Sequence, residues 1–417
     1  MKQAMKQHLL SRNFKMIWTG FFGCLLLCAC GSSAGKDDDY LLAAQWEVVA
    51  QEAQGSTVHF MMWQGSPVIN AYINNYVVPT VKERFGIDLR ISNGQGPEIV
   101  QLVMGEMEAG IQRGQVDMVW INGETFFQLR KLDGLWGPFV EQLPHAAYVD
   151  FQDRFISIDF QQPINGMEAP WNIGQFAMVY DSVHVPNPPK DLEALSRYVK
   201  AHPGTFTISN DFTGMTLLKS FLAELGGSST SLDGAFDAVK YDTLSKQLWE
   251  YINTHKTYFW KEGTTFPKEQ TVASQLFANG ELHITYGFGE GGIEEKVRSG
   301  LYPSSTKGYA WENGTIKNAN YLGILKNAPQ KAGAMQVINF LMSPEAQYQK
   351  ADAEGMNSNT VLHIPRLPAE VQAQFTALPK PKYGPAMSDL ADYAMAEPAP
   401  EYMIRLYEDF RKYVIEK

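Results

Sequence analysis

Residues 115–127, QVDMVWINGETFF, contain the change of pattern that decides the fold. An apolar run typical of a buried strand, residues 118–121, stops at Asn122, Gly123 and Glu124, and a helical pattern follows. One interpretation is a tight turn whose polar residues cap the helix. The other is a ligand pocket, because open α/β sheets bind ligands outside the carboxyl ends of their strands.

The same change from strand to helix recurs on both sides of this stretch. Predicted strands cover residues 57–63, 87–91, 176–180, 205–209, 281–287 and 321–325. Predicted helices cover residues 67–84, 97–113, 191–199, 234–254, 268–279 and 330–342, and a further helix ends near residue 225. Residues 358–417, rich in proline, alanine and charge, are predicted to be helical and to lie on the surface. The alternation predicts an α/β fold with mostly parallel sheets.

The N-terminal 29 residues have the pattern of a secretory signal peptide. Four basic residues precede an apolar stretch, residues 16–29, which is shorter than the roughly 20 residues that span a bilayer. The sequence LCAC at residues 27–30 resembles a bacterial lipobox, which implies that Cys30 carries the lipid anchor. The alternative is an ordinary signal peptide with a chance cysteine. Residues 30–56 then read as a lipidated tether followed by an N-terminal helix.

Composition excludes several classes of site in the rest of the chain. All three cysteines lie within residues 24–30, so the body has none for a disulfide, a thiolate nucleophile or a cysteine metal site. The eight histidines show no metal-ligand spacing, and neither a metal nor a cofactor is expected. The formal net charge is −10 and no basic stripe stands out, so nucleic acid is not an expected partner.

The sequence lacks the common catalytic motifs, but it contains one match to a dinucleotide-binding motif. The sequence contains no GxSxG, HExxH or GxxxxGK[ST] motif. Residues 287–292, GFGEGG, fit GxGxxG between a predicted strand and helix, which is the layout of a dinucleotide-binding unit. The motif lies deep in the chain without a second nucleotide-binding half. We therefore favour a glycine-rich turn that opens a helix.

Six segments, taken in order, resemble a known family. They are WQGSPVINAYI (63–73), DMVWINGETF (117–126), DFTGMTLL (211–218), FANGELHITYGFG (277–289), GTIKNANYLGIL (314–325) and INFLMSPEAQYQKA (338–351). Together they resemble the YnjB-like family of ABC-transporter solute-binding proteins, related to the iron, polyamine and thiamine group. The chain departs from the family pattern at Gln64, where glycine is usual after the tryptophan.

The resemblance implies a two-lobed periplasmic-binding-protein fold of type II, joined by hinge strands. Lobe 1 would comprise residues 57–170 plus 321–417, and lobe 2 residues 171–320, with crossings near 175–180 and 318–322. Such a protein is not an enzyme. It captures a small solute between the lobes and delivers it to ABC permease and ATPase subunits, and it is held to the cell envelope through Cys30, facing the periplasm or the extracellular side.

Ligand-binding candidates come from the turns at strand ends in both predicted lobes. They are Trp63, Gln64, Trp120, Asn122, Gly123, Glu124, Trp171, Asp211, Thr213, Gly214, Tyr286 and Phe288. The alternatives are lobe packing for the aromatic residues and helix capping for Asn122, Glu124 and Asp211. Aromatic faces and carboxylates without an arginine cluster favour a cationic or heteroaromatic organic solute.

Two rival classes remain open at this stage. One is an envelope enzyme, either a nucleotide-dependent oxidoreductase or a hydrolase that uses Glu124 and Asp211 as a carboxylate pair. The other is a structural or adhesion lipoprotein, for which an occluded cleft would be the sign. A gap lined by Trp63 and Trp120 between two lobes favours the receptor over both.

Overall fold

The computed structural model describes residues 38–288, 290–352 and 355–417. The predicted signal peptide, Cys30 and the tether as far as residue 37 lie outside the described residues, as does Gly289 of the GxGxxG motif. The strands are β1 Thr57–Met62, β2 Asp88–Asn93, β3 Met118–Ile121, β4 Leu135–Trp136, β5 Ile158–Asp159, β6 Gln162–Pro163, β7 Glu168–Asp181, β8 Ile284–Phe288, β9 Thr306–Tyr309, β10 Thr315–Leu325 and β11 Ala394–Met395.

Helices flank these strands, and most of the predicted helices are present. They are α1 Trp46–Ala53, α2 Pro67–Tyr72, α3 Val78–Phe85, α4 Gly96–Glu108, α5 Gly123–Lys131, α6 Arg154–Ser157, α7 Leu192–Ala201, α8 Phe212–Leu225, α9 Ala238–His255, α10 Gln270–Ala278, α11 Glu290–Arg298, α12 Lys331–Leu341, α13 Pro344–Ala351, α14 Ala369–Thr376, α15 Met387–Leu390 and α16 Pro400–Phe410. A π-helical segment, Ile73–Val77, joins α2 to α3. The helix predicted over residues 67–84 is therefore continuous but changes its winding in the middle.

One sheet carries both halves of the fold, in the order β2-β1-β3-β10-β7-β8, with β4 and β11 on β10 and β9 on β7. Strands β1, β2 and β3 pair in parallel, as the alternation of strands and helices predicts. The second half differs from the prediction, because β8 and β9 both pair antiparallel to β7. The cause is that the long strand β7 runs through the middle of the sheet and serves both halves.

The long strands β7 and β10 also connect two hydrophobic clusters. The first cluster includes Val58, Phe60, Met118, Ile121, Leu322 and Ile338, and the second includes Phe176, Phe206, Phe221, Tyr241, Tyr286 and Phe410. Along β7, side chains up to Ile173 pack in the first cluster and Phe176 packs in the second. Along β10, Ile316 packs in the second cluster and Ala319 in the first. Both strands thus pass from one cluster to the other at the same level of the sheet.

Two local predictions are wrong. Residues 205–209 contain no regular strand, because Ser209 donates its backbone N–H to the hydroxyl of Tyr286 instead of to a neighbouring strand. The C-terminal segment does not lie wholly on the surface or with the first cluster. Met403, Leu406 and Phe410 of α16 are fully buried in the second cluster.

The glycine-rich motif does not form a dinucleotide-binding unit of the usual layout. Residues 178–180 of β7 pair with β8 and with β9, so these two strands lie on opposite sides of β7 and are not adjacent parallel neighbours. In the dinucleotide fold the strands that flank the glycine turn are adjacent and parallel. The part of the chain that the structure describes also has no acid, histidine and cysteine group arranged for a metal, and no helix long and apolar enough to cross a membrane.

Candidate functional site

The three predicted tryptophans form a row at the ends of strands β1, β3 and the start of β7. The rings of Trp63 and Trp120 meet edge to face with centroids 6.3 Å apart, and those of Trp120 and Trp171 do so at 5.1 Å. Trp63 and Trp120 are partly buried, whereas Trp171 has no exposed surface. Only the first two therefore offer a surface to a solute.

Local contacts explain how these rings are held. Trp120 donates its indole N–H to the side chain of Asn320 at 3.2 Å, next to a register shift between Asn320 and Tyr321 in β10. The indole of Trp63 folds back over Gly65, where a Cβ atom would lie 2.3 Å from the ring. The backbone of Gln64 contacts Asn93 and Asn70, and no side-chain contact of Gln64 to the described residues is seen.

The N-terminus of α5 presents the turn that follows β3. Asn122 precedes the helix but does not cap its amides with its side chain, and its Oδ1 lies 3.5 Å from the hydroxyl of Thr125. Glu124 in the first turn accepts one long hydrogen bond, from Gln128 at 3.4 Å. Burial raises the pKa of Glu124, and the positive charge of Lys219 partly offsets this. The capping interpretation thus does not account for the side chains of Asn122 and Glu124.

The N-terminus of α8 is arranged differently, because Asp211 is fully engaged in capping. Its Oδ1 accepts from the N–H of Gly214 at 3.0 Å and from the hydroxyl of Ser209 at 2.6 Å. Its Oδ2 accepts from the N–H of Gln270 at 2.6 Å. Gly214 is required here, since a Cβ atom would lie 1.7 Å from the carbonyl oxygen of Ser209. Asp211 and Gly214 therefore shape the site rather than offer free ligand atoms.

The remaining predicted residues of this half surround the same helix end. Thr213 is partly buried in the first turn of α8, and its hydroxyl has no hydrogen-bond partner among the described residues. Phe288 is also partly buried, with its ring 6.0 Å from that of Phe212. Tyr286 is buried and its hydroxyl holds Ser209, so it supports the loop and does not line an opening.

Three residues that the sequence did not indicate complete the site. Tyr407 lies on α16, which packs against both α5 and α8. Burial and the negative charges of Glu124 and Asp211 raise the pKa of Tyr407. Phe160, with a positive φ of 44°, packs in the second cluster and lies against Gly123 of the first half, where a Cβ atom would lie 2.0 Å from its ring. Lys219 is fully buried and pairs with Glu397, and its Nζ lies 4.9 Å from the centre of the Phe160 ring.

A buried acidic group adjoins this arrangement. Neither carboxyl oxygen of Glu168 has a hydrogen-bond partner among the described residues, and the same holds for Oδ2 of Asp159. Burial raises the pKa of Glu168 far above its usual value, and Asp159 raises it further. The folded protein therefore retains a proton on Glu168 at a pH where the unfolded chain has released it.

The raised pKa of Glu168 predicts a pH dependence of stability. This stabilising contribution is complete below the unfolded pKa of about 4.3 and is lost as the pH rises through the higher folded value. Glu168→Gln should remove this decrease in the free energy of unfolding with rising pH. For one group the slope of the decrease is at most about 1.4 kcal/mol per pH unit. Urea denaturation at a series of pH values measures the free energy of unfolding.

The exposed Glu108 offers a matched control for that experiment. Glu108→Gln removes the same charge from α4 and should leave the pH profile of the wild type unchanged. A Glu168→Gln profile that superimposes on the wild-type profile would show that Glu168 does not carry the proton.

The fold is that of a two-lobed binding protein, with two hydrophobic clusters joined by the paired strands β7 and β10. The chain belongs to the family of bacterial extracellular solute-binding proteins, whose family model matches residues 71–372. It is 33% identical to "Protein YnjB" of Escherichia coli (strain K12) over 330 residues, which cover 78% of this chain and 84% of that protein. Like its family, the chain is the extracellular solute-binding component of an ABC transporter.

Solved structures agree on the fold. The TpPotD lipoprotein of Treponema pallidum has a TM-score of 0.62 at 14% identity, with 87% of this chain and 100% of that chain covered. The spermidine/putrescine substrate-binding protein PotD of Streptococcus pneumoniae has a TM-score of 0.58 at 13% identity, with 86% and 99% covered. At these identities the likeness establishes the two-lobed α/β architecture of type II binding proteins.

Proposed function

We propose that this protein captures a small cationic or heteroaromatic organic solute between its two halves and delivers it to the permease of an ABC importer. The observation that carries the proposal is that α16, which bears Tyr407, packs against both α5 and α8, while Glu124 in the first turn of α5 directly follows the strand of the partly exposed Trp120. The contributing elements come from both hydrophobic clusters. A solute bound there would touch both halves and favour their closure.

The chemistry of these groups favours a cation over an anion. Glu124 has spare acceptor capacity, and the indole faces of Trp63 and Trp120 can receive a cationic or planar group. The buried Lys219 is already paired with Glu397, so it does not provide a free positive charge for an oxyanion. The polyamine protein PotD among the structural neighbours is consistent with this class of solute.

The passage of β7 and β10 from one cluster to the other supports the lobe boundaries that we propose. Residues 57–170 and the segment after 321 would form lobe 1, and residues 171–320 would form lobe 2, except that Phe160 and α16 pack in the second cluster. The permease, the ATPase and a lipid anchor at Cys30 remain part of the proposal. Anchoring would hold the protein at the cell envelope, facing the periplasm or the extracellular side.

The rival hydrolase is disfavoured by the state of Asp211. A carboxylate pair needs two side chains whose oxygens can reach the substrate. Both carboxylate oxygens of Asp211 already accept hydrogen bonds from N–H and hydroxyl donors. Asp211 therefore cannot serve as the second free carboxylate beside Glu124.

A thermal-shift panel tests the proposal. Spermidine, putrescine and thiamine should each be compared with phosphate and sulfate on the purified protein. A ligand at 100 times its Kd should raise the free energy of unfolding by about 2.7 kcal/mol. We expect the shift with a cationic compound and none with the oxyanions.

Variants localise the effect to the candidate site. Glu124→Gln should weaken the cation-induced shift, whereas Glu108→Gln, the same change on an exposed part of α4, should not. A shift with phosphate or sulfate and none with any cation would overturn the charge argument.

A further inference from the structure

A cavity of about 730 Å³ lies on the outer side of α12, away from the candidate solute site. We call it the α12 cavity. Its floor is formed by Gln336, Asn339 and Phe340 of α12 and by Ser343, which caps α13. Its walls include Trp46, Tyr76, Phe85 and Tyr348. The volume is within the range of small-molecule sites, roughly 300–1,000 Å³.

Two carboxamides on the floor have unused hydrogen-bonding groups. Gln336 is 5% exposed and Asn339 is 4% exposed. Asn339 accepts the backbone N–H of His145 at 3.0 Å, but its Nδ2 donates to none of the described residues. The side chain of Gln336 makes no hydrogen bond to any described residue, and both side chains line the cavity. Because both residues line the cavity, these groups are available to pair with an occupant of the cavity.

The charges around the cavity cancel. Arg84 and Glu345 form a bidentate pair on the rim at 2.5 and 2.6 Å, so neither presents a net charge to an occupant. The Nδ1 atom of His145 lies 2.8 Å from the carbonyl oxygen of Asn339, which places a proton on Nδ1 and makes Nε2 an acceptor when the ring is neutral. An aromatic, uncharged cavity with amide groups at its base favours a neutral planar occupant.

We propose that the α12 cavity binds a small, uncharged, planar heterocycle that presents an amide-like edge, with a donor beside an acceptor. Such an edge is complementary to a glutamine carboxamide, which carries one acceptor and two donors. The flat rings would pack against the aromatic walls. All the lining elements belong to the first half of the fold, so binding does not depend on closure around the transported solute.

Uracil is a suitable probe, and 1,3-dimethyluracil is the same ring with both N–H donors blocked. We expect uracil to bind in a saturation-transfer NMR titration, and methylation to weaken binding about tenfold, the value of one hydrogen bond of about 1.4 kcal/mol. Gln336→Leu should weaken uracil binding by a similar factor. Gln374→Leu makes the same substitution at the exposed rim and should have no effect.

Each outcome of these binding experiments either supports or overturns the proposal. Binding that Gln336→Leu and methylation both weaken supports the proposal. No binding of uracil up to its solubility limit, equal binding of the two compounds, or binding that Gln336→Leu leaves unchanged would overturn it. If Gln336→Leu fails to fold, the comparison of uracil with 1,3-dimethyluracil on the wild-type protein still tests whether the N–H donors of the ring contribute to binding.

Discussion

Replacing Lys219 with methionine should lower the free energy of unfolding by about 3–5 kcal/mol, because it leaves a buried carboxylate without its counter-charge. Lys219 and Glu397 are 1% and 2% exposed at their side chains and form a direct ion pair. Burial lowers the pKa of Lys219, whereas its pairing with Glu397 and the nearby charges of Glu124 and Asp159 act in the opposite direction. The lysine is therefore the counter-charge of Glu397, and it also attracts Glu124 and Asp159.

A double-mutant cycle separates the ion pair from the loss of packing. Glu397→Gln retains an acceptor for Asn318, which donates to Glu397 at 2.9 Å. The double variant Lys219→Met, Glu397→Gln should therefore recover much of the stability lost in Lys219→Met. Denaturation by urea measures each free energy of unfolding.

The exposed Lys246 on α9 provides the control. Lys246→Met removes the same charge from a helix surface and should change the free energy of unfolding by less than about 0.5 kcal/mol. If Lys219→Met is as stable as Lys246→Met, or if the double variant is no more stable than Lys219→Met, Glu397 does not depend on Lys219 as its counter-charge.

Much of the first half could be predicted from the sequence, because its strands and helices alternate. The spacing of apolar residues within each segment indicates whether the segment is a strand or a helix. Strands β1 and β3 and helix α4 begin within one residue of the predicted positions. Residues 205–209 were predicted as a strand on the same grounds. There the apolar pattern is real, but the backbone of Ser209 is satisfied by a tyrosine hydroxyl, and a tertiary contact of this kind leaves no local signal.

The sequence of α16 contains an apolar pattern that indicates burial, although the composition of the segment around it indicates a surface position. Tyr402, Met403, Leu406 and Phe410 recur at helical spacing, which is the pattern of a helix packed on one face. The surrounding charges and prolines suggested a surface segment instead. The consequence reaches the candidate site, since α16 also carries Tyr407 and packs against α5 and α8.

The candidate site was only partly predictable, because some of its residues owe their position to tertiary contacts. Trp63, Trp120 and Glu124 follow strands, so the rule for strand ends indicates them. Lys219 had a weak signal, as a single charge within the apolar run of α8. Phe160 had none, because its role depends on a left-handed backbone conformation that places its ring against Gly123.

Replacing Gly123 with alanine should lower the free energy of unfolding by about 1–3 kcal/mol, the usual cost of overpacking. Gly123 begins α5 in the first half, and the ring that opposes it, Phe160, packs in the second cluster. The added Cβ atom would lie 2.0 Å from that ring, so either Phe160 or the helix must move. Because this contact joins the two halves, the substitution should also weaken solute binding without removing any group that touches the solute.

Gly105 in α4 is the matched control, because no atom lies within 4 Å of a Cβ atom added there. Gly105→Ala should raise the free energy of unfolding by about 0.4–1 kcal/mol through the lower entropy of the unfolded chain. The two alanine variants are thus expected to differ in sign under urea denaturation. A Gly123→Ala protein that matches Gly105→Ala in stability would mean that Phe160 moves aside at no cost. In that case the contact would not constrain how closely the halves approach.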